Sequence, residues 1–107
     1  MANDFKGVQK VNVTTAQTVY TAPGSKDSII LELDIANVTS SAVTASAEVL
    51  DSSAGTDAFI VKDAPIPSGS SLQVISGQKI ILERNDSIRV TASGACDVVC
   101  SILEDVN

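Results

Sequence analysis

Two cysteines, Cys96 and Cys100, an acidic pair, Glu32 and Asp34, and an oxygen-rich run from Asp51 to Asp57 are the groups in this 107-residue chain with a claim to chemistry. Histidine is absent, so the side chain that most often moves protons near neutral pH is missing. The serines therefore have no triad base, and none sits in a Gly-x-Ser-x-Gly elbow. Ser68-Gly69-Ser70-Ser71 reads as a turn. A glycine-rich phosphate loop with its lysine does not occur, which leaves a nucleotide site without support. The expectation is a protein that is not an enzyme and carries no cofactor.

Each remaining candidate has a simpler reading. On one strand Cys96 and Cys100 share a face about 13 Å apart, beyond disulfide reach. Their spacing is not that of a zinc knuckle, and without histidine no tetrahedral site can be completed; small buried core thiols are expected, and no metal. Glu32 and Asp34 alternate with apolar neighbours and read as the solvated side of a strand rather than an acid–base pair. "DSSAGTD", Asp51 to Asp57, has calcium-like oxygen content but lacks EF-hand spacing and a terminal bidentate glutamate. It reads as a polar loop. Asn-x-Ser/Thr triplets at Asn12, Asn37 and Asn85 fall in a Ser- and Thr-rich chain without a visible secretory signal, and glycosylation is not expected. Arg84 and Arg89 flank Asn85-Asp86. They pair locally with Glu83 or Asp86, or they reach a neighbouring subunit, where the planar guanidinium is favoured.

The elements that must position these groups are strands. Apolar residues make up 44% of the chain and aromatics 3%, so a core would be built from Val, Ile, Leu and Ala, which suit a pleated surface. "SIILELDIANV" predicts a long strand with Ile29, Leu31, Leu33 and Ile35 on one face, and "AVTASAEVL" repeats the alternation with Val43, Ala45, Ala47 and Val49. Asn37 to Ser41 reads as a hairpin connection between them. "VQKVNVT" and "QTVYTA" precede them, closed by Pro23-Gly24-Ser25, and "AFIVKD" follows. Pro65 and Pro67 cannot donate to a ladder, which puts Ala64 to Ser68 at a sheet edge or in a crossover, with Ile66 plugging the core. Strands at Leu72 to Ile75, Lys79 to Glu83, Ser87 to Ser93 and Asp97 to Leu103 complete the pattern, the first two separated by Ser76-Gly77. The expected fold is all-β, a single antiparallel β-sandwich of jelly-roll or Ig-like type with about eight strands over residues 1–107. Residues 1–10 are expected as an N-terminal arm that orders on a neighbour, with Phe5 and Lys6 as contact residues.

The net charge of −6 repels phosphate backbones, so nucleic acid is not an expected partner. No apolar run approaches the ~20 residues of a transmembrane helix, and no membrane association is expected. Three aromatics, of which Tyr20 beside a turn is the one expected to be exposed, are few for a carbohydrate-binding face.

"TVYTAPGSKDSIILELDIANVTSSAVTASAEVLD" and "AFIVKDAPIPSGSSLQVISGQKIILERNDSIRVTAS" resemble a family of small β-sandwich proteins encoded among the structural genes of tailed bacteriophages. The resemblance runs from about residue 17 to residue 93 and rests on turn and edge motifs: Tyr-Thr-Ala-Pro, the Val-Lys-Asp-Ala-Pro-Ile-Pro crossover, and the Asp-Ser-Ile-Arg-Val-Thr-Ala ending. It implies a non-enzymatic virion protein assembled in the host cytoplasm. Within that class it implies a capsid decoration (cement) protein, a homotrimer bound to the major capsid protein or to other virion proteins. A tail, neck or fibre-associated module is the alternative, and a carbohydrate-binding module the more distant one. Phe5, Lys6, Tyr20, Pro65, Pro67, Arg84 and Arg89 are the candidate interface residues.

Overall fold

The computed structural model describes residues 4–104. The chain forms eight strands: β1 (Asp4–Val13), β2 (Gln17–Thr21), β3 (Ser28–Asn37), β4 (Val43–Asp51), β5 (Thr56–Ile66), β6 (Ser71–Leu82), β7 (Ser87–Ala92) and β8 (Cys96–Glu104). They make two four-stranded antiparallel sheets, ordered β1-β8-β3-β6 and β2-β7-β4-β5. Pairing the first strand with the last and alternating between sheets is the jelly-roll connectivity of two Greek keys. The all-β sandwich expected from alternation and turn spacing is the fold. Among the described residues no helix is long and apolar enough to cross a membrane.

The core lies between the sheets and is aliphatic: Ile30, Leu33, Ile35, Ile66, Ile75, Leu82, Ile88, Val90, Val98 and Ile102 are all almost fully buried. Cys96 and Cys100 join it as free thiols. Burial raises both above the usual thiol range, Cys100 to about 12, because a thiolate there would lose its solvation. Ile66 is buried where β5 hands the chain from one sheet to the other.

Four local expectations need correction. First, residues 37–41 do not make a hairpin, because β3 and β4 lie in different sheets. Asn37 organises the crossing: its buried Nδ2 donates to the carbonyls of Ser41 (2.7 Å) and Ile66 (2.9 Å), and its Oδ1 accepts from Thr39 N and Thr39 Oγ1. Second, the inward set of β3 is Ile30, Leu33, Ile35 and Asn37, not Ile29 and Leu31. A β-bulge sets both Leu31 and Glu32 against Ser101 and shifts the alternation by one residue. Third, Ser76-Gly77 does not separate two strands; Gly77 sits at φ 82° in a bulge that keeps β6 continuous. Fourth, residues 4–10 are not an arm. Asp4 to Lys10 pair with Glu104 to Val98 of the same chain, and residues 1–3 lie outside the described residues.

Candidate interaction surface

The molecule is a slab of 45 × 27 × 21 Å, so the outer faces of its sheets are its broadest surfaces. The two faces differ in chemistry. On the β2-β7-β4-β5 sheet, Arg89 lies opposite Glu48 and donates from Nε to Oε1 (3.2 Å) and from Nη2 to Oε2 (3.1 Å), with Asp57 Oδ2 at 3.4 Å. Ser46 and Asp63 are joined beside it, and the Lys62 ammonium sits 5.3 Å from the centroid of the Phe59 ring. This face satisfies its own charges. Arg89 is thus paired across strands within the chain, not with its sequence neighbours Glu83 or Asp86, and Arg84 lies 3.9 Å from Asp27 of the β2–β3 turn.

The outer face of β1-β8-β3-β6 is apolar along a full row. Phe5 pairs with Leu103, Leu103 with Ile29, and Ile29 with Ile81, so four strands each contribute one outward apolar side chain. At ~4.8 Å between strands the row is about 14 Å wide. Its ends are open: Phe5 is 77% exposed and Ile81 68%. The next outward row holds Gly7, Ser101, Glu32 and Ser76; the one after holds Gln9, Val99, Asp34 and Gln73. Gly7, Ser101 and Ser76 put small side chains beside the apolar row, with Glu32 among them. Covering Phe5 and Ile81 with a partner would contribute about 1.5–3 kcal/mol each. No pocket opens among the described residues.

The sequence contained a signal for this row. Ile29-Ile30-Leu31, Ile80-Ile81-Leu82 and Ile102-Leu103 are consecutive apolar residues, and in an antiparallel strand such runs make both faces apolar. Of the candidate interface residues, Phe5 lies on this face. Lys6 points the other way, into the open end of the sandwich, where its Nζ is 3.0 Å from Glu104 Oε1. Tyr20 is not free either: its hydroxyl donates to Glu104 Oε2, which leaves Ser28 Oγ, 2.9 Å away, to donate to the phenol oxygen. Burial and the Glu104 carboxylate push Tyr20 up to about 12, while the Tyr20 and Lys6 donors hold Glu104 below the usual carboxylate range. Lys6, Tyr20, Ser28 and Glu104 therefore tie β2 to the other sheet. Pro65 and Pro67 are exposed, Pro65 on the edge strand β5 opposite Thr44 and Pro67 at the turn that Ser70 N closes.

The Asp51 to Asp57 loop is a tight β4–β5 connection with Gly55 at φ 70°. Asp51, Glu83 and Asp86, not the run itself, bring carboxylate oxygens within 4.8 Å of one another. Backbone donors already occupy much of this group. Asp51 Oδ1 accepts from Ser53 N, Ser53 Oγ and Ala54 N, which holds its carboxyl below the usual range. Asp86 accepts from Ser52 N and Glu83 N, and Asp57 faces Arg89.

No family model and no curated protein matches the chain. Solved structures share its fold. A chain of the acid-stable capsid of Helicobacter pylori bacteriophage KHP30 superposes with a TM-score of 0.58 at 9% identity, over 99% of this chain and 89% of that one. A chain of Bacillus endospore appendages, described as disulfide-linked pili, gives 0.53 at 15% identity over 98% and 87%. The Drosophila NLP core, a pentamer that binds histones, gives 0.54 at 13% over 94% and 96%. At these identities the likeness is one of fold.

Proposed function

We propose that the chain is a non-enzymatic structural protein of a phage virion, a capsid decoration protein that binds the outer surface of the shell and stabilises it. The observation that carries this reading is the exposed apolar row Phe5–Leu103–Ile29–Ile81 on a small acidic jelly roll. A surface of that shape suits a protein face rather than a small molecule. Capsid and pilus proteins among the structural neighbours support an assembly role. The sequence resemblance to phage structural proteins supports the virion. The chain acts as a homotrimer, with the edge strands β1 and β6 of one sheet and β2 and β5 of the other available for contacts between copies.

Co-sedimentation with empty heads of the phage that encodes the chain tests the proposal. Binding to assembled shells but not to unassembled shell subunits is expected, together with a trimer mass by light scattering. A protein that stays monomeric and leaves shells bare would refute it. Immunogold labelling of tails instead of heads would move the protein to the tail or neck.

A further inference from the structure

Four strands end the two sheets, and three of them are guarded against a partner strand. β2 is 5 residues long, and its register shifts between Thr18 and Tyr20. β5 carries Pro65 and, at Asp63, a φ of 51°. β6 carries the Gly77 bulge. Shortness, proline and bulges are how folded proteins keep sheet edges from pairing. β1 has none of these along Asp4 to Lys10, which run one for one against Glu104 to Val98; the ladder becomes irregular only after Lys10, where Asn12 sits at φ 54°. Every second residue of an edge strand turns its N–H and C=O away from the sheet, so β1 offers a regular row of backbone donors and acceptors. Such a row is completed by an added strand.

The side chains of β1 fit a second copy of β1. Residues directly opposite in an antiparallel pair share a face, so a two-fold axis normal to the sheet keeps both sandwiches on one side when it passes through a residue. With the axis at Gly7, Asp4 lies opposite the second copy's Lys10 at both ends of the pairing, and Phe5 lies opposite its Gln9. Among the described residues neither Asp4 nor Lys10 makes an ion pair within the chain. Beyond its chain neighbours, Gly7 has no atom within 4 Å of where a Cβ would stand, so the exposed Phe5 ring can lie diagonally across the second copy's Gly7. Other registers fail. An axis at Lys6 sets that lysine against itself, and one at Val8 sets Lys6 against Lys10 at both ends. An axis at Phe5 overlaps only Asp4 to Lys6, and one beyond Val8 runs the Asn12 bulge into the ladder. We infer that β1 pairs antiparallel with β1 of a second copy about an axis through Gly7, joining two β1-β8-β3-β6 sheets into one. The contact is small, hence weak in dilute solution and effective where copies are held close together. It does not depend on the decoration reading; in that reading it links neighbouring trimers.

Gly7→Cys reads the axis directly, because it sets a new thiol opposite its own equivalent, with Cβ atoms ~5 Å apart and a disulfide within reach after a small adjustment. Gly7 is not among the positive-φ glycines and has open space for a side chain, so the variant should fold. Cys96 and Cys100 are buried and stay out of the reaction. Oxidised with copper phenanthroline at high protein concentration, Gly7→Cys should give a disulfide-linked pair of chains on a non-reducing gel. Gln9→Cys is the control: its thiols would stand four residues apart along the paired strands, ~13 Å, and should not bridge. In the Gly7→Cys background, Lys10→Asp should cut the yield ~5–10-fold, because the symmetry applies the change twice, and adding Asp4→Lys should restore it. Each variant is checked for native circular dichroism. A three-fold contact brings unlike residues together, so a bond between two copies of position 7 is not a product of the trimer. No linked pair from Gly7→Cys, an equal yield from Gln9→Cys, or a yield indifferent to Lys10→Asp would each overturn the inference. Shell-bound trimers without the bond would overturn it and leave the decoration reading standing, and the bond with bare shells would do the reverse.

Discussion

Replacing Asp34 by Asn should make the isolated protein more stable at neutral pH. In the unfolded chain this carboxyl titrates near the usual 3.8, whereas in the folded protein burial first, and then Glu32, raise it to about 6. The folded state therefore holds the proton more tightly, and the favourable contribution is present in full below pH 3.8 and lost as pH rises through 6. At pH 7.5 the ionised carboxylate is a burden on the fold. Raising the carboxyl from 3.8 to about 6 sets a ceiling of about 3 kcal/mol, and partial solvation with relaxation of Glu32 reduces that to about 1–2 kcal/mol. The isosteric amide removes the charge and can hydrogen-bond to Glu32. In a domain of this size the gain corresponds to a melting temperature raised by about 4–10 °C. Thermal melts followed by circular dichroism at pH 7.5 and pH 3.5 read it directly: the difference should be present at the higher pH and vanish at the lower. Glu32 on the same strand and Lys79 and Asp97 on the adjacent ones are common to both proteins, as is the acid-sensitive Glu104, so their titration largely cancels in the difference. A variant no more stable at pH 7.5, or one with the same gain at both pH values, would refute the reasoning.

Tyr20→Phe removes the half-buried donor to Glu104 and should cost about 1.5–3 kcal/mol by chemical denaturation; because the folded Glu104 carboxyl is held low, the wild type should also lose stability as pH falls below about 4.5. Asn37→Ala leaves the Ser41 and Ile66 carbonyls and Thr39 N without their partner, for an expected loss of about 2–4 kcal/mol in the same assay. Gly94→Ala would bring a methyl within 2.7 Å of Val43 Cγ1, so a loss of about 1–3 kcal/mol is expected from overpacking. Cys96 and Cys100 should stay unreactive towards Ellman's reagent in the native protein and react on unfolding, since both are buried with thiol titration raised.

Much of this architecture was legible before any coordinates. Val43, Ala45 and Ala47 alternate inward along β4 as their spacing predicts, and Pro65 occupies an edge strand because a residue without an N–H cannot serve a central ladder. Ile66 fills the core at the crossing. Two of the misreadings share one cause: alternation counts residues, and bulges insert extra ones; the hairpin and the N-terminal arm failed instead because pairing partners are distant in the chain. Leu31 and Gly77 each sit in such an insertion, so the inward phase of β3 and the continuity of β6 could not be read from period two alone. Glu104 and Asn37 were missed as structural residues although they continue the inward series Val98, Cys100, Ile102 and Leu33, Ile35. A polar residue at the end of such a series is ambiguous in sequence, because its partners, Tyr20 for one and Ile66 for the other, lie far away along the chain.

Strand content, the aliphatic core and the acidic charge were determined by the sequence itself, because each follows from local side-chain chemistry. Which strands are neighbours was decided by the tertiary structure. Only the β1-β8-β3-β6 order sets Phe5, Leu103, Ile29 and Ile81 side by side. A row across four strands joins residues separated by most of the chain, and pairing register, not sequence proximity, creates the surface.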